Sequence, residues 1–333
     1  MAQSNIHIDK ANATYADDVV IDTELVRLGI VETLEQNIDG FNASSNGTIV
    51  LTSQALEGDY SEEAFIKGLT AGQLVTRRDY LSDKAVTPVK LVEDAVNTIK
   101  LSRRYGPFAT TYDAWNRSNR DVSTFSLAIG KQLGVGIGAD MLNSSITAAV
   151  AAIEATQAVV GTGAAAFDYK DIVNGLATMG DKAGRIQMLV MHSDTYFSIV
   201  DKGLSMNALE NVGGMTIREG GAYSLGLPVL VTDSDALKDG AGKFKVLGLT
   251  EGAVKAIESD TTIMRAQDVL LNENLQRVIQ GEASYNVGVK GCKFDVSKVN
   301  PIDADLGDKA NWSYLFSDVK SGGGFVMSVK KRA

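Results

Sequence analysis

Histidine and cysteine are nearly missing from this chain, and their scarcity removes most of the chemistry that a sequence can advertise. Among 333 residues there is one cysteine, Cys292, and there are two histidines, His7 and His192. A lone thiol rules out an intrachain disulfide framework and fits a reducing compartment, with Cys292 reading as a small strand residue. Two histidines are too few for a His-based metal site, and a Ser-His-Asp triad would have to rest on His192 alone. The first twenty residues contain no basic region followed by an apolar stretch. No run approaches the ~18 apolar residues of a membrane helix, so neither a signal peptide nor a membrane span is expected. An excess of positive charge is also lacking: Lys and Arg total 32 against 41 Asp and Glu, giving a net charge of -9 and a pI of about 4.9. Such a field repels nucleic acid and cannot supply the phosphate neutralisation that dominates DNA affinity, which disfavours a DNA-binding regulator.

What is present is an ordinary folded composition, 44% hydrophobic and 22% charged, on a chain long enough for about two domains and a sizeable core. Two glycine clusters need a decision. Gly134-Val-Gly-Ile-Gly138 is the nearest thing to a dinucleotide fingerprint, but it follows a helical pattern where the fingerprint needs a strand. It reads as helix bending or tight helix packing. Gly240-Ala-Gly-Lys243 lacks the spacing and the following Ser or Thr of a phosphate loop, and Asp239-Gly240 reads as a hairpin turn. No cofactor, metal ligand set or catalytic residue is expected.

Along the chain, residues 1–45 read as a polar arm followed by a helix in which Leu25, Val26, Leu28, Ile30, Val31, Leu34 and Ile38 are too many apolar positions for one stripe. That helix is expected to pack on two sides. Residues 46–92 hold Thr48-Ile-Val-Leu-Thr52 and a returning Val86–Val92, with some thirty polar residues between them, which marks a functional loop or interaction arm. Within 93–160, the steps of three and four from Val122 through Met141 to Ile153 predict a helix over 113–155, roughly 65 Å if unbroken, with a break or bend at the glycines. Residues 161–270 read as a mixed α/β unit, with a helix over 167–179 capped by Asp168. In 271–333, the alternation of Ile279, Ala283, Tyr285, Val287 and Val289 with polar residues predicts a long strand.

The most specific stretch is Ile186–Lys202, a buried strand running into a helix with Ser193 as its cap, followed by Gly213-Gly214, Gly220-Gly221 and Tyr223-Ser-Leu-Gly-Leu-Pro-Val-Leu-Val-Thr-Asp233. In this order the segments resemble the axial domain of the major capsid (coat) proteins of tailed bacteriophages, whose fold is shared with encapsulins. The long helix beside a long strand is similar to the peripheral domain of that fold, and the tail segments Gly288–Asp295, Asn300–Leu306 and Asn311-Trp312 resemble the ends of phage coat proteins.

The resemblance implies an α+β phage capsid fold with a peripheral domain, an axial domain, an extended two-stranded loop and an N-terminal arm. It implies a structural protein rather than an enzyme, self-associating through pentamers and hexamers into an icosahedral shell around double-stranded DNA. An acidic inner wall would keep packed DNA from sticking. The expected partners are further copies of the chain, a separate scaffolding protein, a portal, and in some cases a decoration protein; the expected location is the virion, after assembly in the host cytoplasm. Candidate subunit-interface residues are Ile49, Leu51, Arg77, Arg78, Arg103 and Arg104, the arginines because guanidinium suits bidentate pairing with the carboxylates of an acidic neighbour. The paired carboxylates Asp17-Asp18 and Glu62-Glu63 read as solvated charge or as contacts to neighbours. Nothing in the spacing of Lys67, Lys84 and Asn300 requires the covalent cross-link that some related capsids form. Two rivals stay open: an encapsulin-like compartment enclosing protein cargo, and an α/β enzyme with a pocket near His192.

Overall fold

Two long helices, α1 (Thr23–Ser44) and α2 (Val122–Ala155), lie against each other at glycine-to-glycine distance. The computed structural model describes residues 13–14, 23–52, 62–66, 75, 77–86, 88, 93–111, 122–167, 169–200, 208–212, 215–218, 226–240, 242–269, 273, 276–298, 300–316 and 318–330. The break expected in the long helix does not occur: α2 runs uninterrupted for 34 residues, roughly 50 Å, and residues 112–121 lie outside the described residues. Gly130, Gly134 and Gly138 recur every fourth residue and so share one face. That face receives α1. A Cβ on Gly134 would stand 2.9 Å from the Ile30 carbonyl oxygen, one on Gly29 would stand 2.8 Å from that of Leu127, and one on Gly130 would collide with that of Val26. Val26, Ile30 and Leu34 meet Gly130, Gly134 and Gly138 in the same order, so the helices are parallel.

On α1, Val26, Ile30, Leu34, Ile38 and Phe41 are buried, whereas Leu28 and Val31 stay 58% and 42% exposed. The chain itself covers only one side of its two-sided helix. The second half of α2, through Ala148, Ala149, Ala151, Ala152 and Ile153, is buried all round, as an all-apolar helix must be. The stretch Ser126–Ala155 is long and apolar enough to cross a membrane, and 72% of its most apolar part is buried inside the fold.

The strands are β1 (Ala13–Thr14), β2 (Ile49–Thr52), β3 (Glu62–Ile66), β4 (Glu93–Asn97), β5 (Ile99–Thr111), β6 (Val159–Ala166), β7 (Ile186–Met191), β8 (Ala208–Val212) and β9 (Met215–Arg218). They continue with β10 (Val229–Val231), β11 (Lys243–Thr250), β12 (Val254–Val269), β13 (Gln276–Val289), β14 (Cys292–Phe294), β15 (Trp312–Tyr314) and β16 (Gly324–Lys330). Three shorter helices are α3 (Tyr169–Met179), α4 (Ser193–Val200) and α5 (Asp303–Gly307). A five-stranded sheet has the order β1-β5-β13-β12-β2, and a seven-stranded sheet the order β6-β16-β11-β7-β10-β9-β8.

The long strand expected around Ile279–Val289 is β13, with Ile279, Tyr285, Val287 and Val289 facing the core. Its neighbour β12 is equally long and antiparallel to it. The boundary expected at residue 270 therefore falls between two paired strands of one sheet. Register shifts at Glu258/Asp260 and Asp260/Ile263 interrupt the alternation of β12, which is why its sequence does not read as one strand. The loop needs a second correction. β2 joins the five-stranded sheet, parallel to β12, and the two-stranded element is β3 with β4, from Glu62 opposite Asn97 to Ile66 opposite Glu93. The returning strand is not Val86–Val92, where Pro88 lacks the amide that a ladder needs.

In the seven-stranded sheet, β7 and β10 run parallel, and β16 carries the C-terminal segment back to lie between β6 and β11. Phe325 of β16 is fully buried in a slot floored by Gly175 of α3 and Gly248 of β11, neither of which has room for a Cβ. The Asp239-Gly240 turn is present, with Gly240 at φ +64 and the Asp239 amide donating to the Lys243 carbonyl at 2.9 Å. Gly213-Gly214, Gly220-Gly221 and the Asp168 cap lie outside the described residues. Lys245 of β11 pairs with Glu154 of α2 at 2.6 Å, joining this sheet to the end of the long helix.

Candidate assembly surfaces

The six residues expected at subunit interfaces occupy very different environments. Ile49 and Leu51 are 0% and 1% exposed. They sit opposite Val254 and Ala256 on β12, and the Asn42 side chain of α1 clamps Leu51, accepting from its amide at 2.9 Å and donating to its carbonyl at 2.6 Å. Both belong to the chain's own core and are not available to a neighbour.

Arg103 is likewise used within the chain. Strand alternation turns Arg103 toward α2 and Arg104 away from it. The Arg103 guanidinium donates to Asp140 at 2.6 Å, Asp303 at 2.7 Å and Ser144 at 3.1 Å. The Tyr285 hydroxyl donates to the same Asp140 oxygen at 2.5 Å, and its ring centroid lies 5.6 Å from the guanidinium carbon. Burial alone would lower the Arg103 pKa, but Tyr285, Asp303 and Asp140 outweigh it and hold the group above its ordinary value. Burial and then Asp140 push the Tyr285 hydroxyl well above its ordinary value, which keeps it a donor.

Arg104 is exposed and lies opposite Glu282. Arg77 and Arg78 are exposed in residues 77–86, which are neither helix nor strand. The Asp79 carboxylate accepts from the Leu81 amide at 3.0 Å and the Ser82 hydroxyl from the Lys84 amide at 3.3 Å, giving the segment a local turn. Around that turn Val75, Tyr80, Leu81 and Val86 are 81%, 82%, 81% and 87% exposed. So much apolar side chain in water marks a surface that is covered in an assembly.

His192 serves as a helix cap. Its carbonyl accepts from the amides of Thr195 and Tyr196, both at 3.0 Å, its Nδ1 accepts from the Asp194 amide at 3.2 Å, and its ring lies 4.7 Å from that of Phe244. The Ser193 hydroxyl donates to Asp233 rather than to His192, and His192 Nε2 is 3.8 Å from Asp233, beyond hydrogen-bond reach. A nucleophile-base relay lacks its first link here.

A cleft of about 560 Å³ that the sequence did not point to lies between α2, the turn after β10 and α5; its walls include Asp140, Asn143, Asp233, Asp235 and Asp303. Three segments far apart in the chain build it, so no local motif could have signalled it. Among the described residues no group of three His, Cys, Asp or Glu is placed to hold a metal ion.

This architecture is that of phage capsids. A solved chain from Mycobacterium phage Adephagia matches with a TM-score of 0.52 at 8% identity, covering 87% of this chain and 90% of that one. Chains from Mycobacterium phages Bobi and Cain match with TM-scores of 0.51 and 0.50 at 9% and 11% identity, covering 85% and 86% of this chain and 89% of each of theirs. At such identities the likeness is one of fold. The chain belongs to the Gp13-like family, major capsid protein 13-like, whose model matches residues 18–326. No curated protein matches it in sequence. Its role is therefore structural: it self-assembles into capsid shells, and its place is the capsid of a virion.

Proposed function

We propose that copies of this chain associate through pentamers and hexamers into an icosahedral shell that encloses a double-stranded DNA genome. The observation that carries this reading is the family match across residues 18–326, reinforced by the apolar side chains that segment 77–86 holds in water. Arg77, Arg78 and Arg104 contact neighbouring subunits, while the two sheets and the α1–α2 pair act as rigid bodies between adaptable arms. The net charge of -9 means that packing force, not affinity, fills the shell. A separate scaffolding protein, a portal and a decoration protein complete the head, which assembles in the host cytoplasm. An encapsulin-like compartment is the competing reading.

The test is light scattering on size-fractionated protein, with electron microscopy of the heaviest fraction. Closed shells, or rings of five and six, are the expected result, and shells recovered from infected cells contain nuclease-protected DNA. A monomer or dimer that persists at high concentration with scaffold added would overturn the proposal. Shells holding a co-purifying enzyme would replace it with the encapsulin reading.

A further inference from the structure

The cleft between α2, the turn after β10 and α5 carries more carboxylate than its surroundings neutralise. Asp140 and Asp303 share the one guanidinium of Arg103, and Asp235 holds Lys238 at 2.5 Å. Asp233, with its side chain 75% exposed, stands 3.8 Å from His192. Two polar groups are left open at the walls. The Asn143 Oδ1 is buried and accepts no hydrogen bond, and His192, whose side chain is only 8% exposed, aims an unpartnered Nε2 at Asp233.

The spacing of these groups selects the chemistry of the occupant. The carboxylates surround the cleft without converging on a metal position, an arrangement that suits a planar cation with many donors better than a point charge. A guanidinium offers five N–H donors in a rigid fork, and one of them would satisfy an open amide oxygen such as that of Asn143. Arg77 and Arg78 are adjacent and exposed, on a segment whose turn is held by its own Asp79 and Ser82.

We infer that the cleft of one subunit receives the Arg77-Arg78 segment of a neighbouring copy, an inference that rests on the shell-forming function proposed above. Opposite charge sets the register of the contact, and burial of Tyr80 and Leu81 against the same neighbour adds apolar area. The two surfaces differ, so the contact is heterologous and repeats from subunit to subunit around a ring.

Charge exchange tests the pairing. Asp233→Arg with Asp235→Arg alters exposed side chains and leaves the melting temperature of the unassembled subunit near that of the wild type. Shell yield by sedimentation falls about tenfold or more, because like charges now meet. Arg77→Glu with Arg78→Glu has the same effect, and a chain carrying all four substitutions regains shells. As an independent readout, Arg78→Cys with Asp235→Cys gives disulfide-linked multimers from oxidised shells and none from unassembled subunits. Unchanged yield in either reversed variant, or no recovery in the combined chain, overturns the pairing while wild-type shells leave the shell function standing. Wild-type protein that forms no shells fails at the earlier step. A rise in subunit melting temperature on adding magnesium or calcium chloride, lost in the Asp233→Arg/Asp235→Arg variant, assigns the cleft to a metal ion and also overturns the pairing.

Discussion

Gly130→Ala and Gly136→Ala exchange the same atoms six residues apart on α2, yet the packing of α1 predicts opposite signs. Gly136 is exposed, and a Cβ there meets nothing within 4 Å. A glycine inside a helix costs about 1 kcal/mol relative to alanine, so Gly136→Ala stabilises the subunit by about 0.5–1 kcal/mol. Gly130 gains the same propensity, but its Cβ would collide with the Val26 carbonyl oxygen, an atom held by α1 itself. The helices must separate along a seam that buries Val26, Ile30, Leu34, Ile137 and Met141. Overpacking of this kind costs about 1–3 kcal/mol, and with backbone as the obstacle the upper end applies, for a net loss of about 1–2 kcal/mol. Gly134→Ala, at 2.9 Å from the Ile30 carbonyl, falls between them, and Gly138→Ala, at 3.7 Å from a Leu34 methyl, is close to neutral. Urea unfolding of dilute, unassembled subunits reads the series through its midpoints at constant slope. A Gly130→Ala midpoint raised as far as that of Gly136→Ala refutes the seam. A lowered Gly136→Ala midpoint refutes the unbroken helix.

Arg103→Ala leaves Asp140 and Asp303 without their shared cation and lowers unfolding stability by about 2 kcal/mol. Arg103→Lys recovers less than half, because one ammonium cannot span both carboxylates; equal stability of the two variants contradicts the fork. Phe325→Ala empties the slot between Gly175 and Gly248 and costs about 3–5 kcal/mol by the same assay, a loss under 1 kcal/mol being incompatible with that packing. Burial first, and then Glu35, raise the Glu258 carboxyl from its ordinary 4.5 to about 6. The folded state thus binds this proton more tightly than the unfolded chain, so stability is greatest below pH 4.5, falls as pH rises to about 6 and stays reduced above it. The shift corresponds to about 2 kcal/mol, cut to about 1 because the group is only part-buried; Glu258→Gln flattens the curve, and a wild-type curve already flat there rejects the account. Burial pushes the Cys292 thiol up to about 12, so a thiol reagent labels it only after denaturant is added, and labelling of the native subunit contradicts its position.

Regular elements were legible because period alone defines them. The strand into α4, the long strand β13 and most of α2 follow from apolar spacing without knowledge of any partner. The failures share a cause, since each depended on what lies across from the residue. Gly134-Val-Gly-Ile-Gly138 draws attention as alternating glycines, whereas the informative spacing is the four-residue step through Gly130, which places a smooth face against α1. β5 was not recognised because Gly106, at φ +82, and Pro107 read as a turn, and the strand absorbs them at a register shift. With that strand missed, Arg103 and Arg104 looked like one basic pair, although alternation sends them to opposite faces. Ile49 and Leu51 were assigned to a neighbour because the parallel partner β12 was hidden by its own bulges. The acidic cleft joins positions near 140, 233 and 303, a convergence that only the fold creates.

The same contrast separates two kinds of residue in the subunit. Gly130, Arg103 and Phe325 have all their partners inside the chain, so changing them moves the melting of a single subunit, and shells suffer only as a consequence. Tyr80, Leu81 and Val86 are more than 80% exposed and bury almost nothing in the isolated chain, so replacing them with serine leaves that melting within about 0.5 kcal/mol. Any loss of shells they cause must then arise between subunits. A subunit built this way holds its core and its contacts in separate sets of side chains, which lets rings of five and of six form from one rigid fold. If Tyr80→Ser and Leu81→Ser lowered the melting of the unassembled subunit by as much as Phe325→Ala, the segment would be part of the core and this separation would fail.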